Sequence, residues 1–321
     1  MRAPSQSLFL AAVLACTATP ITPPKSDRVW TEVSAGRHVS CTIDDGGAIE
    51  CWGDNSRHVP PDTGWVDLGE DVPPEEEGLI DVQLELKSYA AAGSGSACAR
   101  RSDSSVLCWG APIDLPPTET RLSALAVPVQ SLCGIREDGS GACWADNSDD
   151  PEWIPASGLR AVRAAEDAVC FLDADGMGHC GYARDGEWEG SSRFTVREGP
   201  YSLVAPAGLD ICGIDLVGNL ECWNRFDETI AGRLTLPTYG APFQDFCWSG
   251  GGLRWGCALN ADNHLHCFGG FGDDPRWQWD VYPDDTPLVS ISCGAFHVCG
   301  LTAEGAIHCY GDDTYDQLDV P

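Results

Sequence analysis

The sequence predicts an all-β repeat protein, a propeller or a solenoid, on three observations. Seven cysteine pairs share one spacing, C-x9-C, and their first cysteines recur at a mean interval of 43 residues. A period in that range marks repeat architectures. Between the paired cysteines, apolar residues alternate with polar ones around a central glycine, the pattern of a hairpin. The 36 glycines and 22 prolines among 321 residues are more than a mainly helical chain carries. With 43% hydrophobic and 21% charged residues, the balance is that of a folded chain and not a disordered one.

The amino terminus comes first. Arg2 is followed by the apolar run Leu8 to Ala15, the pattern of a secretory signal. The run is shorter than the roughly 20 apolar residues that span a bilayer, and no later stretch reaches that length. Val13-Leu14-Ala15-Cys16 resembles the lipobox of bacterial lipoproteins, although Leu usually stands where Val13 does. That resemblance implies lipidation of Cys16. Ordinary cleavage after Ala18 is the alternative. The expected division is therefore 1–15 signal peptide, 16–28 tether and 29–321 repeat domain, an exported chain that is either released or held to a membrane by lipid.

The repeats are built on Cys41/Cys51, Cys98/Cys108, Cys133/Cys143, Cys170/Cys180, Cys212/Cys222, Cys257/Cys267 and Cys299/Cys309. Two residues after the first cysteine stand Ile43, Arg100, Ile135, Leu172, Ile214, Leu259 and Leu301, apolar except for Arg100. Six residues after it stand Gly47, Ser104, Gly139, Gly176, Gly218, Asn263 and Gly305, which suits a turn position with positive φ. A turn centred midway sets cysteine opposite cysteine, about 4.5 Å apart at Cα, the near edge of disulfide geometry. Seven cross-strand disulfides are expected, each contributing roughly 2–3 kcal/mol. Zinc ligation is the rival, but its usual C-x2-4-C knuckles are absent. Seventeen cysteines also point to an oxidising compartment.

An aromatic follows the second cysteine in six repeats, as Trp52, Trp109, Trp144, Trp223, Phe268 and Tyr310, and is read as packing between neighbouring repeats. Gly36 and Gly294 each lie five residues before a first cysteine, on strands expected to crowd a central axis. The units around Cys41–Asn55 and Ile291–Pro321 resemble the regulator of chromosome condensation repeat, most closely its secreted, cysteine-paired bacterial form. The resemblance covers residues 29–321 and implies a seven-bladed β-propeller of four-stranded blades. It matches no residue here to the founder's chromatin binding or nucleotide exchange. Guanine-nucleotide-exchange regulation of a GTPase stays as a reading by analogy. Another relative, a secreted propeller inhibitor of β-lactamases, implies binding by analogy as well.

Cys247 and Cys293 fall outside the spacing. They are read as a bond joining the inner strands of the sixth and seventh repeats, or as two buried thiols. Nucleophile-elbow, P-loop, HExxH and EF-hand motifs are absent. His38 and His297 read as structural, and His264 and His266 as a conceivable surface pair. Acidic runs such as Asp146, Asp149, Asp150 and Glu152, Asp273 and Asp274, Asp284 and Asp285, or Asp312, Asp313 and Asp316 could attract Ca²⁺, but they lack loop spacing and read as solvated surface. Trp248, Trp255, Trp277 and Trp279 gather around the sixth hairpin. They are either buried against a blade edge or form a partner-binding patch.

Net charge −30 argues against nucleic acid and favours a cationic partner. The reading is a monomeric binding scaffold for a protein or surface glycan, with no cofactor. A polysaccharide lyase or hydrolase is the rival, which a clustered acid or histidine pair in a deep axial pocket would favour.

Overall fold

A computed structural model describes residues 28–36, 38–53, 79–84, 96–110, 120–128, 131–144, 151–165, 167–184, 187–188, 195–207, 210–224, 241–249, 255–269, 286–314 and 316–320. Residues 1–27, which hold the expected signal and nearly all of the expected tether with Cys16, lie outside these residues, as do Trp277, Trp279 and several acidic runs. The described chain forms seven antiparallel sheets and no helix.

The first sheet holds β1 (Trp30–Ala35), β2 (Val39–Asp44) and β3 (Ile49–Gly53). The second holds β4 (Leu79–Leu84), β5 (Ser96–Arg101) and β6 (Val106–Gly110). The third has β7 (Leu122–Ala126), β8 (Leu132–Arg136), β9 (Gly141–Trp144) and β10 (Glu152–Trp153). The fourth has β11 (Leu159–Ala165), β12 (Ala168–Asp173), β13 (Gly178–Arg184), β14 (Glu187–Trp188) and β15 (Thr195–Arg197). The fifth holds β16 (Tyr201–Ala207), β17 (Asp210–Asp215) and β18 (Leu220–Asn224). The sixth holds β19 (Phe243–Trp248), β20 (Trp255–Asn260) and β21 (Leu265–Gly269), and the seventh β22 (Ser290–Cys293), β23 (His297–Leu301) and β24 (Ile307–Gly311). Five of the sheets thus have three strands among the described residues, where four were expected, and an outer strand is described only in the third and fourth.

Each C-x9-C unit is the hairpin of its sheet's second and third strands, with cysteine opposite cysteine. All seven pairs are disulfide-bonded: Cys41–Cys51, Cys98–Cys108, Cys133–Cys143, Cys170–Cys180, Cys212–Cys222, Cys257–Cys267 and Cys299–Cys309. Their Cα atoms lie 3.9–4.1 Å apart. This corrects the expected separation of about 4.5 Å, because the bond draws each opposed pair together. The first cysteine of every pair is buried, whereas Cys51 and Cys108 are half-buried on the last described strands of their sheets. Cys143, Cys180, Cys222, Cys267 and Cys309 are buried.

The turn position has positive φ in every hairpin, including Ser104 at 67° and Asn263 at 65°. The turn is also capped. Asp44, Asp173, Asp215 and Asn260 each accept two backbone N–H bonds through Oδ1, and Thr302 accepts one from Ala306. Arg101 and Arg136 occupy the same place in the second and third hairpins. There Asp103 and Asp138, two residues on, accept from Ser105 and Ser140 instead.

The same turn position ties sheet to sheet. Its carbonyl accepts from the start of the next inner strand: Gly47 from Leu79, Ser104 from Leu122, Gly139 from Leu159, Gly176 from Tyr201, Gly218 from Phe243 and, two residues before β22, Asn263 from Leu288, at 2.9–3.1 Å. The series returns to its start, because Gly305 accepts from Trp30 at 2.9 Å. Close approach excludes a side chain at Gly218, where a Cβ would lie 2.2 Å from the Pro242 Cβ. Gly218→Ala should therefore lose more than about 1–2 kcal/mol, and Ser104→Gly should gain about 0.5–1 kcal/mol, because only the second relieves a left-handed β-carbon. Urea unfolding midpoints of the two variants check this pair.

The six aromatics pack between sheets as expected, each against the disulfide of the preceding sheet. Trp109 lies on Cys41, Trp144 on Cys98, Trp223 on Cys170 and Cys180, Phe268 on Cys212 and Cys222, and Tyr310 on Cys257 and Cys267. Trp52 lies on Cys299 and Cys309, and its indole donates to the Gln317 carbonyl at 2.9 Å. The first and last sheets also meet through the Ala35 N–H on Ser292 Oγ and through Ser40 with His297 at 2.7 Å. Burial holds His297 neutral, its pKa pushed down to about 3. Gly294 lies at this seam, where a Cβ would stand 2.3 Å from the Gly36 carbonyl.

Candidate functional site

The inner strands β1, β4, β7, β11, β16 and β19 share a local irregularity. In each, the pairing register shifts between the first residue and the third. Such a bulge turns two successive side chains to one side of the sheet. The second residue is exposed in every inner strand: Thr31, Ile80, Ser123, Arg160, Ser202 and Gln244, with Val289 at the equivalent point in the seventh sheet. The third, one step deeper, is Glu32, Asp81, Ala124, Ala161, Leu203 or Asp245, with Ser290 in the seventh. Three carboxylates from the first, second and sixth sheets thus occupy one register level of the space enclosed by the inner strands.

Arg163 comes from β11 of the fourth sheet. Its Nη2 is 3.9 Å from Asp245 Oδ1, although the fourth and sixth sheets are not neighbours. The guanidinium therefore reaches across the interior. Arg100, the one break in the apolar stripe of the hairpins, stands opposite Asp81 in register, with Nε 3.7 Å from Oδ2. Gln83 donates to Asp81 Oδ1 at 3.1 Å, and the Phe246 N–H donates to Asp245 Oδ1 at 2.9 Å. A cavity of about 370 Å³ opens between Glu32, Arg163, Asp245, Ser290 and Ser292, with Thr31 near them.

Electrostatically the site is short of positive charge, with three carboxylates against two guanidinia. Burial is the main reason all three acids are raised. Glu32 is pushed up to about 8 by burial and then by Asp81, against Arg163 and Arg100. Asp81 and Asp245 are raised too, by burial, although Arg163 lowers both and Arg100 lowers Asp81. At neutral pH Glu32 holds its proton and can both donate and accept hydrogen bonds. A carboxylic acid that titrates near the working pH also suits general acid–base chemistry.

The tryptophans around the sixth hairpin are not brought together as a patch among the described residues. Trp255 is buried, and its indole donates to the Ala295 carbonyl at 2.9 Å. Its role is to bind the sixth sheet to the seventh, a correction to the rim reading. Trp248 is half-buried against Phe268, ring centroids 5.6 Å apart. Cys247 is joined to Cys293, linking the inner strands of the sixth and seventh sheets. His38 stacks on Phe296, and His266 is hydrogen-bonded to Asn260. Asp312 and Asp313 accept bonds from Thr314 and Leu318 within their own turn. No group of three His, Cys, Asp or Glu side chains among the described residues is arranged to hold a metal ion.

Residues 288–317 match the family model of the regulator of chromosome condensation (RCC1) repeat. None of the curated proteins matches the sequence. Among solved structures, the chain is similar to the ectodomain of the Physcomitrella patens receptor kinase CR4, with TM-score 0.60 and 20% identity over 88% of this chain and 74% of that one. The CRINKLY WD40 ectodomain of the Arabidopsis thaliana receptor kinase ACR4 gives 0.58 and 17%, over 88% and 99%. Prp20p from Saccharomyces cerevisiae gives 0.58 and 13%, over 88% and 82%. Likeness at these identities is a likeness of fold.

Proposed function

We propose that the seven sheets are the blades of a seven-bladed propeller, exported from the cytosol, that works as a binding scaffold for a protein or a surface glycan. The carrying observation is the ring itself. One backbone bond repeats from sheet to sheet and returns to the first, and every sheet has its own disulfide. Such a frame is rigid and leaves its loops free to carry recognition. Eight disulfides fit an oxidising compartment. The receptor ectodomains named above have the same kind of fold, and Prp20p is described by its binding to Gsp1p and histones. Lipidation of Cys16 would hold the scaffold to a membrane.

The test is intact mass of the protein from its native host, with thiol alkylation before and after reduction. Export with intact staples predicts a cleaved amino terminus and sixteen cysteines that alkylate only after reduction. A lipid-sized increment on Cys16 places it on a membrane. A full-length chain whose cysteines alkylate freely removes the reading.

The axial carboxylates favour a second reading, an enzyme acting on polysaccharide. Glu32 would be its acid and Asp245 its charged partner. It differs from the scaffold reading by one measurement, the release of product from a polysaccharide panel.

A further inference from the structure

We infer that the axial cavity binds a small neutral polyhydroxylated ligand, a sugar residue or a polyol, held between Arg163 on one side and Glu32 and Ser290 on the other. The inference rests on the scaffold reading and assigns its ligand class. Polar groups withdrawn from bulk water are nearly always paired. Here the half-buried Glu32 and Ser290 and the part-exposed Arg163 face one cavity without such a partner. Among the described residues, the Glu32 carboxyl and the Ser290 hydroxyl make no hydrogen bond, and Arg163 has only the 3.9 Å approach to Asp245, too long for one. Arg163 is also 46% exposed, so its donors open into the cavity.

The three groups supply both kinds of partner. Arg163 only donates, Ser290 donates or accepts, and Glu32 does both while it holds its proton. A ligand hydroxyl likewise donates and accepts at once, so a polyhydroxylated molecule satisfies all three without bringing a charge. Charge points the same way. Arg100 faces Asp81 and Arg163 approaches Asp245, and burial raises all three acids, Glu32 to about 8, so the set carries little negative charge near pH 7. An anion would meet Glu32 and Asp245, and a dication would have to displace the Arg163 guanidinium. The volume, about 370 Å³, lies at the lower end of small-molecule sites and suits one sugar ring.

The experiment is isothermal titration calorimetry on the full disulfide-bonded protein. The probes are D-glucose, N-acetyl-D-glucosamine and D-mannitol, with putrescine and inorganic phosphate as charged probes. The expected result is binding of at least one neutral probe, weakened about tenfold or more in Arg163→Ala, the loss of charge-assisted hydrogen bonds. Ser290→Ala should weaken the same probe by a smaller factor. Arg163→Ala should remain folded at the titration temperature, which an unchanged far-ultraviolet circular dichroism spectrum checks, because its side chain is half-exposed. Binding of putrescine or phosphate alone overturns the inference, as does a neutral probe held equally by Arg163→Ala. If no probe binds while sixteen cysteines remain bonded, the inference falls and the scaffold stands. If a bound sugar polymer is cleaved, the ligand class stands and the scaffold reading gives way to the enzyme.

Discussion

Replacing Trp30 with alanine is expected to cost about 3–5 kcal/mol, the range for truncating a fully buried large aromatic. Trp30 is 2% exposed and packs with Trp52, Cys299, Leu301 and Ile307, the last three from the seventh sheet. Its backbone N–H makes the bond to Gly305 that brings the series of inter-sheet bonds back to its start. In a repeat architecture each unit is stabilised by its two neighbours, so a weakened seam leaves both end units with one neighbour fewer. The thermal midpoint should fall by roughly 10 °C, taking about 2–4 °C per kcal/mol for a domain of this size. The control is Trp153→Ala. That ring is 47% exposed and lies 4.5 Å from the Arg136 guanidinium, and its loss should cost less than about 1 kcal/mol. Equal midpoints for the two variants would mean that the seam contributes little and the ring is held by its other contacts.

The contrast between these tryptophans shows what the sequence could and could not reveal. Cysteine spacing marks the second-to-third-strand hairpin of every described sheet because a disulfide fixes two positions at once, and the Gly, Ser or Asn six residues on marks its turn. Ser104 carries a side chain there and adopts the same positive φ. The capping acids were equally regular, with Asp44, Asp173 and Asp215 three residues after a first cysteine. Arg101 and Arg136 broke that column, and the pattern shows only once Asp103 and Asp138 are seen to cap in their place. Composition alone leaves Trp255 between a blade edge and a rim patch, and strand β20 turns it inward. The axial acids were missed for a definite reason. The bulge in each inner strand sets two successive side chains on one side of the sheet, so a strict period of two assigns Glu32, Asp81 and Asp245 no common place. One signal was present. Arg100 interrupts an otherwise apolar column, and a charge there needs a partner across the strand, which is Asp81.

The carboxylate cluster should also make stability fall as pH rises through neutrality, opposite to the usual behaviour of paired surface acids. Glu32 ionises near 4.5 in the unfolded chain and near 8 in the folded one. Between those values the folded protein holds a proton that the unfolded chain has released, so each rise in pH favours unfolding. Below about pH 4.5 both states are protonated and Glu32 has no net effect. Above about pH 8 both are ionised and the cost is complete, on the order of 3–5 kcal/mol for a shift of this size. Asp81 and Asp245 are raised as well and add to the same slope. The capping acids Asp103, Asp138, Asp173 and Asp215 are lowered, so the stability they contribute is lost only in acid. Maximum stability is therefore expected in weakly acidic solution. Glu32→Gln removes the ionisable group and keeps its shape. Urea midpoints measured from pH 5 to pH 9 should fall less steeply for the variant than for the parent, and by pH 8 the variant should be the more stable by a few kcal/mol. Parallel curves would show that Glu32 ionises in the folded protein as it does in water. A protein that keeps such a group buried between its sheets therefore loses stability over the neutral range.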